Sequence, residues 1–574
     1  MTSVPRGVAL AFAVAFAATL VMAAPVIRAP GARVFGSGEI LGRDDPNRDP
    51  LVVIHQFRTG HVPSPYLQPL TDLPGRLLAR AVGPVAAYNV IVLATFPLAA
   101  AASYLLARHV FVPHPGAMAA ALAYAFLPFH VVQAGGHPHV AQTQWIPLYF
   151  LALWRCVDRP GLARAGWLLA AAAAVALSNF YGGLIAATLS PVALLAYGFA
   201  GPARPEAGRL RRVAITASVL AGAAVIGVVL VARLTSPAPL HAFDRAELFV
   251  WSAKWWSYLV PSAEHPWWGT GIQAFWARHG VAENAIEHQQ VGLTWGLIAL
   301  AGVPLWRLLR GDREAAHVRI APVLAILAAF AVLCSLSPER QIGSLLFVRP
   351  SALLYELAPM FRAYARFGVV AGLMTALLAG AGVASLWPRR ASRTVALALL
   401  ALAMIEVAPF PPWRWRAISA EATLPVPGPA PAGALEVPAD GSPVYVGALL
   451  GFHARESDGD RQWRWMAQTG ALRVVATARA PETAIDLELR SFPGPRRIEW
   501  LLGGRRMGSL EVTPQWGIYR LALGDLDSGS CTLTLASSDA AIPADAILHN
   551  GDPRPLALAL SRWTIVGPGS STPR

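Results

Sequence analysis

The fold is decided by residues 366–387, which read RFGVVAGLMTALLAGAGVASLW and carry one charge, on Arg366. An apolar run of about 17–25 residues is long enough to cross a bilayer as a helix. Runs of this kind recur along the first 410 residues. The sequence therefore predicts an all-α membrane domain built from many spans.

The composition supports this class. The chain has 574 residues, of which 55% are hydrophobic and 14% charged, with a mean hydropathy of +0.46. Ordinary globular chains carry about 25% charged residues, so a soluble protein is excluded. The net charge of +14 comes almost entirely from arginine, because Lys254 is the only lysine. These arginines are divided among short loops and form no single stripe, so nucleic acid is not an expected partner and membrane lipids are.

The apolar runs predict about eleven membrane helices. Arginines concentrate in alternate short loops, which the positive-inside rule assigns to the cytoplasmic side of a plasma membrane. The N-terminus is then cytoplasmic and the C-terminal residues are extracytoplasmic. A signal peptide cleaved near Ala23-Ala24 is the alternative for the first run, and it leaves the same topology. The predicted spans are 8–27, 86–107, 116–133, 143–157, 164–178, 182–200, 213–232, 289–306, 320–336, 366–387 and 394–410.

The domain organisation follows from these spans. Residues 1–410 form the membrane domain, with long extracytoplasmic loops at 28–85, 233–288 and 337–365. Residues 411–440 are rich in Pro, Ala and Gly and predict a linker. Residues 441–574 contain short alternating apolar segments separated by turn signals, which predict an extracytoplasmic β-sandwich of jelly-roll type.

Two groups of residues outside the spans suggest chemistry. Asp44, Asp45 and Asp49 follow the first span, and ionised carboxylates are costly near hydrocarbon, so their cluster points to function. Asp49 lies between Arg48 and a proline, so a helix cap or an ion pair is the alternative. The three cysteines, Cys156, Cys334 and Cys531, lie far apart and predict neither a disulfide framework nor a zinc site. No glycine-rich phosphate loop is present, so direct use of ATP or a sugar nucleotide is not expected.

Several short motifs occur in an order shared with a known family. They are Asp49-Pro50-Leu51, with Arg48 where that family has glycine; Ala87-Tyr88-Asn89; Ala125-Phe126-Leu127-Pro128-Phe129-His130; His139 with Gln144-Trp145-Ile146-Pro147-Leu148; Ser257-Tyr258-Leu259-Val260-Pro261; Glu287 ahead of Gly292; Phe361-Arg362-Ala363-Tyr364-Ala365-Arg366-Phe367; and Gly551-Asp552-Pro553-Arg554-Pro555-Leu556. On these motifs the chain resembles the GT-C glycosyltransferases, in particular a bacterial branch with an appended β-domain.

The resemblance implies a function. It implies an inverting transfer of a hexosyl or pentosyl group from a polyprenyl-phosphate donor to a cell-envelope glycan or glycolipid, on the extracytoplasmic face. Asp49 would be the catalytic base that takes the acceptor proton, with Asp45 and Asp44 in support. The donor phosphate would be bound by Arg362, Arg366, His137 and His139. The acceptor or sugar would be contacted by Glu287, Trp255, Trp256, Gln144 and Asn89.

Structural alternatives stand beside these roles. Arg362 and Arg366 lie four residues apart, so one helical face could present both, to a phosphate or to the membrane interface. Glu287 could pair with a loop arginine, and Asn89 is typical of a cap or an interhelical hydrogen bond. The tryptophans are typical of an interfacial belt.

A metal site and two other functions also stay open at this point. His137 and His139 could bind a divalent cation, although their spacing around Pro138 is not the helical pattern of metal ligands. A transporter or flippase for lipid-linked saccharides predicts charges inside the spans, where Glu406, near the end of the last span, is the main candidate. A non-catalytic envelope-assembly protein is the other alternative.

Overall fold

The computed structural model describes residues 3–567, except for 32, 36–52, 55, 58–67, 201–207, 235–242, 244, 246, 280, 282, 343–344, 408–414, 418–443, 458–460, 477–478, 528 and 550–553. Asp44, Asp45, Asp49 and the Gly551-Asp552-Pro553 part of the tail motif therefore lie outside the described residues. The described chain forms two compact units, one up to Ala417 and one from Val444 onward.

The first unit is helical, and each of the eleven predicted segments coincides with a helix or a pair of helices. Two short strand pairs accompany them, Arg33–Phe35 with Trp415–Ala417 and Glu339–Ile342 with Leu345–Val348. The first pair takes three residues from the predicted linker. The α-helices are Val4–Met22, Ala24–Ile27, Pro69–Val82, Pro84–Leu93, Thr95–His109, His114–Ala125, Pro128–Ala134, Trp145–Asp158, Leu162–Ser178, Phe180–Ala200, Arg209–Leu234, Glu247–Val250, Gly269–Arg278, Trp295–Leu309, Ala316–Arg319, Ala321–Ser335, Pro350–Leu357, Gly368–Leu386 and Arg390–Val407, and the 3-10 turns are Trp255–Tyr258, Glu283–Gln289 and Tyr364–Phe367.

The number of membrane spans is smaller by the criteria of length and composition. Within the described residues, five helical segments are long and apolar enough to cross a membrane, so the count of about eleven is not confirmed. A sixth is the pair His114–Ala125 and Pro128–Ala134, bent by 41°. Pro128 explains the bend, because a proline disfavours helical geometry in the residue before it. Several long apolar helices are the mark of a multi-pass membrane protein. The five are Val4–Met22, Pro84–His109, Phe180–Ala200, Ala316–Ser335 and Tyr364–Leu386.

The helix Gly368–Leu386, which contains most of the apolar run 366–387, lies at the centre of the first unit. Every residue from Gly368 to Ala384 is buried. Its glycines permit this packing, since a Cβ at Gly382 would lie 2.0 Å from the carbonyl oxygen of Leu300. Small residues let helix backbones approach closely, which is how helices associate in a membrane.

The second unit is a β-domain with one antiparallel sheet of eight strands. The sheet packs its inner face into one apolar core, and its edge strands approach each other, so it is nearly closed into a barrel. The predicted sandwich of jelly-roll type is not confirmed. The strand order is Gly517–Leu526, Ala480–Ser491, Leu558–Val566, Gln462–Ala476, Gly529–Ser537, Arg496–Leu502 and Arg505–Val512, with Val444–Ser457 also paired to Gln462–Ala476; Ile542–Pro543 and Pro555–Leu556 form a separate small pair.

Candidate functional site

A short loop between two helices of the first unit carries both predicted histidines. It joins Pro128–Ala134 to Trp145–Asp158. The loop is closed by its own backbone, since the N–H of His137 donates to Gln133 O at 2.7 Å and the N–H of Ala141 donates to His137 O at 2.9 Å. The two imidazoles contact different carboxylates from distant parts of the chain.

His139 contacts Asp72. Its Nε2 atom lies 2.7 Å from Asp72 Oδ1, and the Asp72 side chain is almost fully buried. Asp72 lies in the first turn of the helix Pro69–Val82 and also accepts the backbone N–H of Gln68 at 2.9 Å. Asp72 was not among the predicted site residues, because an acidic residue in a first helical turn usually compensates the helix dipole. The sequence signal for Asp72 was weak: a carboxylate between Thr71 and Leu73, in the same predicted loop as the aspartate cluster.

His137 contacts Glu287. The Nδ1 atom of His137 lies 3.3 Å from Glu287 Oε1, and Gln133 Nε2 donates to the same oxygen at 2.9 Å. The Glu287 side chain is 0% exposed. Burial of a carboxylate without such partners would cost several kcal/mol. The structure thus places Glu287 and His137 in one buried cluster, and Gln133 joins them as a residue that sequence analysis did not single out.

The segment that carries Glu287 also fixes the tryptophan-rich loop. Gln289 Oε1 accepts the hydroxyl of Ser257 at 2.7 Å and the backbone N–H of Lys254 at 3.1 Å. Trp255 and Trp256 lie between these two contacts, with their rings 5.6 Å apart in an edge-to-face arrangement. Trp255 is 54% exposed, whereas Trp256 is half-buried. One loop therefore presents a rigidly held, exposed indole.

The two predicted arginines have different environments. Arg362 donates from Nη1 to Glu247, which compensates its charge, and lies 4.3 Å over the ring of Phe243. Arg366 lies 4.1 Å over the ring of Tyr181. The hydroxyl of Tyr181 accepts the backbone N–H of Arg362 at 3.2 Å, so Tyr181 supports both arginines.

The two arginines, which one helical face could have presented, do not lie on one helix. Arg366 belongs to the 3-10 turn Tyr364–Phe367, and Arg362 precedes that turn. A 3-10 turn has three residues per turn, so residues four apart do not align on it. The sequence spacing alone did not distinguish the tight turn from an α-helix.

Arg366 lines a small cavity beside the histidine loop. The cavity has a volume of about 10 Å³, roughly the room that one water molecule needs, and its polar lining includes Gln142, Thr143 and Asn179. Phe129 and Trp145 supply part of its apolar wall. Of the four predicted phosphate ligands, Arg366 lines this cavity, whereas Arg362, His137 and His139 do not. A cation beside apolar walls is suited to an anionic group attached to an apolar chain.

Gln144 and Asn89 are held by local hydrogen bonds. Gln144 is buried and donates from Nε2 to Gln142 Oε1 at 2.8 Å. Asn89 is buried and donates to the carbonyl oxygens of Pro30 at 2.9 Å and Arg33 at 2.8 Å. These bonds fix the chain that leaves the first helix, and they are neither a helix cap nor an interhelical hydrogen bond.

Among the described residues, no group of three or more His, Cys, Asp or Glu side chains could hold a metal ion. The pairs His139–Asp72 and His137–Glu287 each contain two such side chains, which is fewer than three. A ligand set for the divalent cation that the sequence left open is therefore not found among the described residues.

Comparisons with known proteins give one family and several solved structures. A family described as a domain of unknown function, DUF6311, matches residues 68–408. No curated protein matches the chain. Solved structures that match include the arabinofuranosyltransferase AftD from Mycobacteria, at 10% identity and a TM-score of 0.38, covering 98% of this chain and 61% of AftD. ArnT from Cupriavidus metallidurans, bound to undecaprenyl phosphate, matches at 17% identity and a TM-score of 0.30, covering 66% of this chain and 78% of ArnT.

A further match, of the β-domain's size, is a family two carbohydrate esterase from Clostridium thermocellum in complex with cellohexaose. It shows 12% identity and a TM-score of 0.14, covering 22% of this chain and 34% of the esterase. The chain thus spans about a third of the esterase and about three fifths of AftD. AftD and ArnT are GT-C glycosyltransferases, the class that the sequence motifs resemble. At these TM-scores the likeness carries no assignment of activity. The family match covers more than half of the chain, and the chain therefore belongs to the DUF6311 family.

Proposed function

We propose that the protein is a GT-C-type glycosyltransferase that moves a sugar from a polyprenyl-phosphate donor to a cell-envelope acceptor on the extracytoplasmic face. One observation carries the proposal. The histidine loop gathers two buried carboxylates, Asp72 from the first predicted extracytoplasmic loop and Glu287 from the tryptophan-rich segment, beside a cavity that Arg366 lines. Buried histidines and carboxylates that converge from separate loops are typical of functional sites.

The chemistry assigns a separate role to each group. The acceptor hydroxyl attacks the anomeric carbon, the bond from that carbon to the phosphate oxygen breaks, and a base takes the hydroxyl proton. Asp49 is proposed as that base on the sequence motif. Asp72 and Glu287 hold the histidine loop in place, and Arg366 stabilises the negative charge on the departing lipid phosphate. Trp255 offers an indole face to the sugar.

The transporter alternative loses its main charged candidate. Glu406 is buried near the end of the last helix, where its two carboxylate oxygens accept the backbone N–H groups of Trp295 at 3.0 Å and Gly296 at 3.1 Å. These are unsatisfied donors at the start of the helix Trp295–Leu309, and a carboxylate at such a position is stabilising. Glu406 therefore binds the start of this helix, which explains the presence of a charge within an apolar segment without a transport path.

Sugar transfer in isolated membranes tests the proposed function. Membranes that contain the full-length protein are incubated with labelled polyprenyl-phosphate sugars, or with the corresponding sugar nucleotides, and labelled envelope glycan is measured. Relative to membranes without the protein, we expect more label in envelope glycan from at least one lipid-linked donor. We expect no such increase that comes directly from a sugar nucleotide. No incorporation from any lipid-linked hexose or pentose would contradict the proposal.

Arg366→Gln is expected to raise the KM for the lipid-linked donor by about ten-fold or more, the value of one hydrogen bond to a charged group. Arg362→Gln is the matched control, and its effect on KM should be smaller because Glu247 already compensates that guanidinium. The measurement is the initial rate against donor concentration for equal amounts of folded protein. A larger increase in KM for the Arg362 variant would reverse the assignment of the two arginines.

A further inference from the structure

An apolar hairpin in the predicted extracytoplasmic loop 337–365 is uncovered on both faces. The strand Leu345–Val348 pairs with Glu339–Ile342, and its four residues are 49–65% exposed. Successive side chains of a strand point to opposite faces, so neither face of this strand is covered. An isolated two-stranded hairpin is marginally stable in water, and this one lacks an apolar partner within the described first unit.

The helix that follows extends the apolar surface. Leu353 and Leu357 of the helix Pro350–Leu357 are 63% and 73% exposed. They lie four residues apart and so share one helical face. The hairpin and this helix together expose six large apolar side chains within a short segment. A patch of this kind marks a surface that contacts a membrane or another molecule.

The position of the patch along the chain favours a membrane. The candidate span Ala316–Ser335 ends four residues before the strand that begins at Glu339. The next candidate span begins at Tyr364, shortly after the helix Pro350–Leu357 ends. The patch is therefore connected on both sides to segments that leave the hydrocarbon, which places it at the level of the bilayer surface.

Three cations meet at the base of the hairpin. The guanidinium of Arg349 donates to the Ser337 hydroxyl at 2.9 Å, which holds it beside the turn that leads into the first strand. Ala253 forms a β-bridge with Leu336, next to that same turn, and so brings Lys254 close to Arg349. Arg340 lies on the first strand, opposite Phe347.

The charges of these cations act on one another. Burial, followed by the charge of Arg349, lowers the pKa of Lys254, and burial, followed by the charge of Arg340, lowers the pKa of Arg349. Among the described residues, no carboxylate lies within ion-pair distance of Lys254, Arg340 or Arg349. By contrast, the nearby Arg245 pairs with Glu339 at 2.9 Å. The cluster thus carries positive charge without a described counter-charge.

We propose that this region, residues 339–340 and 345–357 together with Lys254, is a binding site for anionic phospholipids of the extracytoplasmic leaflet. The apolar side chains of the hairpin and helix enter the boundary between head groups and acyl chains, and Lys254, Arg340 and Arg349 bind lipid phosphate. Exposed apolar residues beside basic residues are the combination that binds an anionic membrane surface. The site is separate from the donor-phosphate role proposed for Arg366, and it does not depend on sugar transfer.

Lipid selectivity of the full-length protein tests the charged part of the site. Nanodiscs of equimolar phosphatidylcholine and phosphatidylglycerol are prepared, and the phosphatidylglycerol retained by the protein is counted by native mass spectrometry. Lys254→Gln combined with Arg340→Gln should weaken phosphatidylglycerol retention by about five-fold for each charge removed. The matched control, Arg479→Gln combined with Arg506→Gln, removes the same charge from arginines that pair with Asp525 and Glu499 in the β-domain, and it should retain the wild-type selectivity.

Three outcomes would overturn the proposal. The first is the absence of phosphatidylglycerol enrichment around the wild-type protein. The second is an equal loss of phosphatidylglycerol retention in the test and control variants. The third is that, when polyprenyl phosphate is added to the nanodiscs, the test variant loses retention of polyprenyl phosphate alone. The last outcome would assign the cations to the donor carrier. Arg349 is left in place because its bond to Ser337 would mix a folding effect with a loss of charge.

Photocrosslinking tests the apolar part. Phe347→benzoylphenylalanine should give lipid adducts after irradiation in the same nanodiscs. Phe199→benzoylphenylalanine is the positive control, since Phe199 is 70% exposed on the candidate span Phe180–Ala200. Lipid adducts at position 199 together with none at position 347, or adducts of position 347 to protein alone, would show that the hairpin does not enter the leaflet.

Discussion

Replacement of Asp49 by asparagine is expected to lower sugar transfer from a polyprenyl-phosphate donor by about 10²–10⁴-fold, the usual contribution of a general base. Asparagine has nearly the shape of aspartate and keeps a hydrogen-bond acceptor, but it cannot take the proton of the acceptor hydroxyl. The loss should therefore appear in kcat, with little change in the KM for the donor. The measurement is the initial rate of transfer in membranes that hold equal amounts of wild-type and Asp49→Asn protein.

The neighbouring aspartates supply the controls. Asp45→Asn and Asp44→Asn remove the same charge from the same loop, and their effects should be much smaller if Asp49 is the base. Undiminished transfer by Asp49→Asn would remove Asp49 from the mechanism. Equal losses in all three variants would mean that the charge of the loop matters and the position of one carboxylate does not.

Glu287→Ala is expected to destabilise the helical unit by about 1–3 kcal/mol, the cost of leaving a buried hydrogen-bonding group without its partner. The substitution removes the oxygen that Gln133 and His137 share and leaves a cavity in a fully buried site. Glu287→Gln keeps an oxygen in the same place and should cost less. The measurement is the unfolding free energy of the purified protein in detergent, followed by the fluorescence of its tryptophans.

An exposed carboxylate of the same type is the control for this prediction. Glu314 is exposed in a loop, and Glu314→Ala should change stability by no more than about 0.5 kcal/mol. If Glu287→Ala unfolds like the wild type and yet loses sugar transfer, Glu287 touches the reacting groups and is not a structural support for His137.

The helices could be predicted from the sequence because their signal is local. Each apolar run needs only its own composition to favour a helix, and all eleven predicted segments contain helices in the structure. The number of membrane crossings is a different quantity. Helices such as Trp145–Asp158 and Trp295–Leu309 have 14 and 15 residues, which is short for a bilayer, and apolarity alone does not separate such a helix from a full span.

In the β-domain, too, the sequence predicts the single elements but not their arrangement. Alternation of apolar residues, as in Ile485, Leu487 and Leu489, predicts a strand with one buried face, and all three are buried in the core of the sheet. The alternation does not specify which strands become neighbours. Two packed sheets and one nearly closed sheet both bury one face of each strand, so the predicted sandwich and the observed barrel share the same pattern.

The sequence by itself determined the membrane class, the helical segments, the strands of the β-domain and the residue types available for chemistry. Only the tertiary structure decided which of those residues meet. His139 contacts Asp72 across 67 residues, and Gln133 contacts Glu287 across 154. Helix propensity and hydrophobic periodicity depend on residues close together in the sequence. These partners depend on helix packing, which brings distant loops together. A charge that is buried in this way is stable only beside a hydrogen-bonding or charged partner.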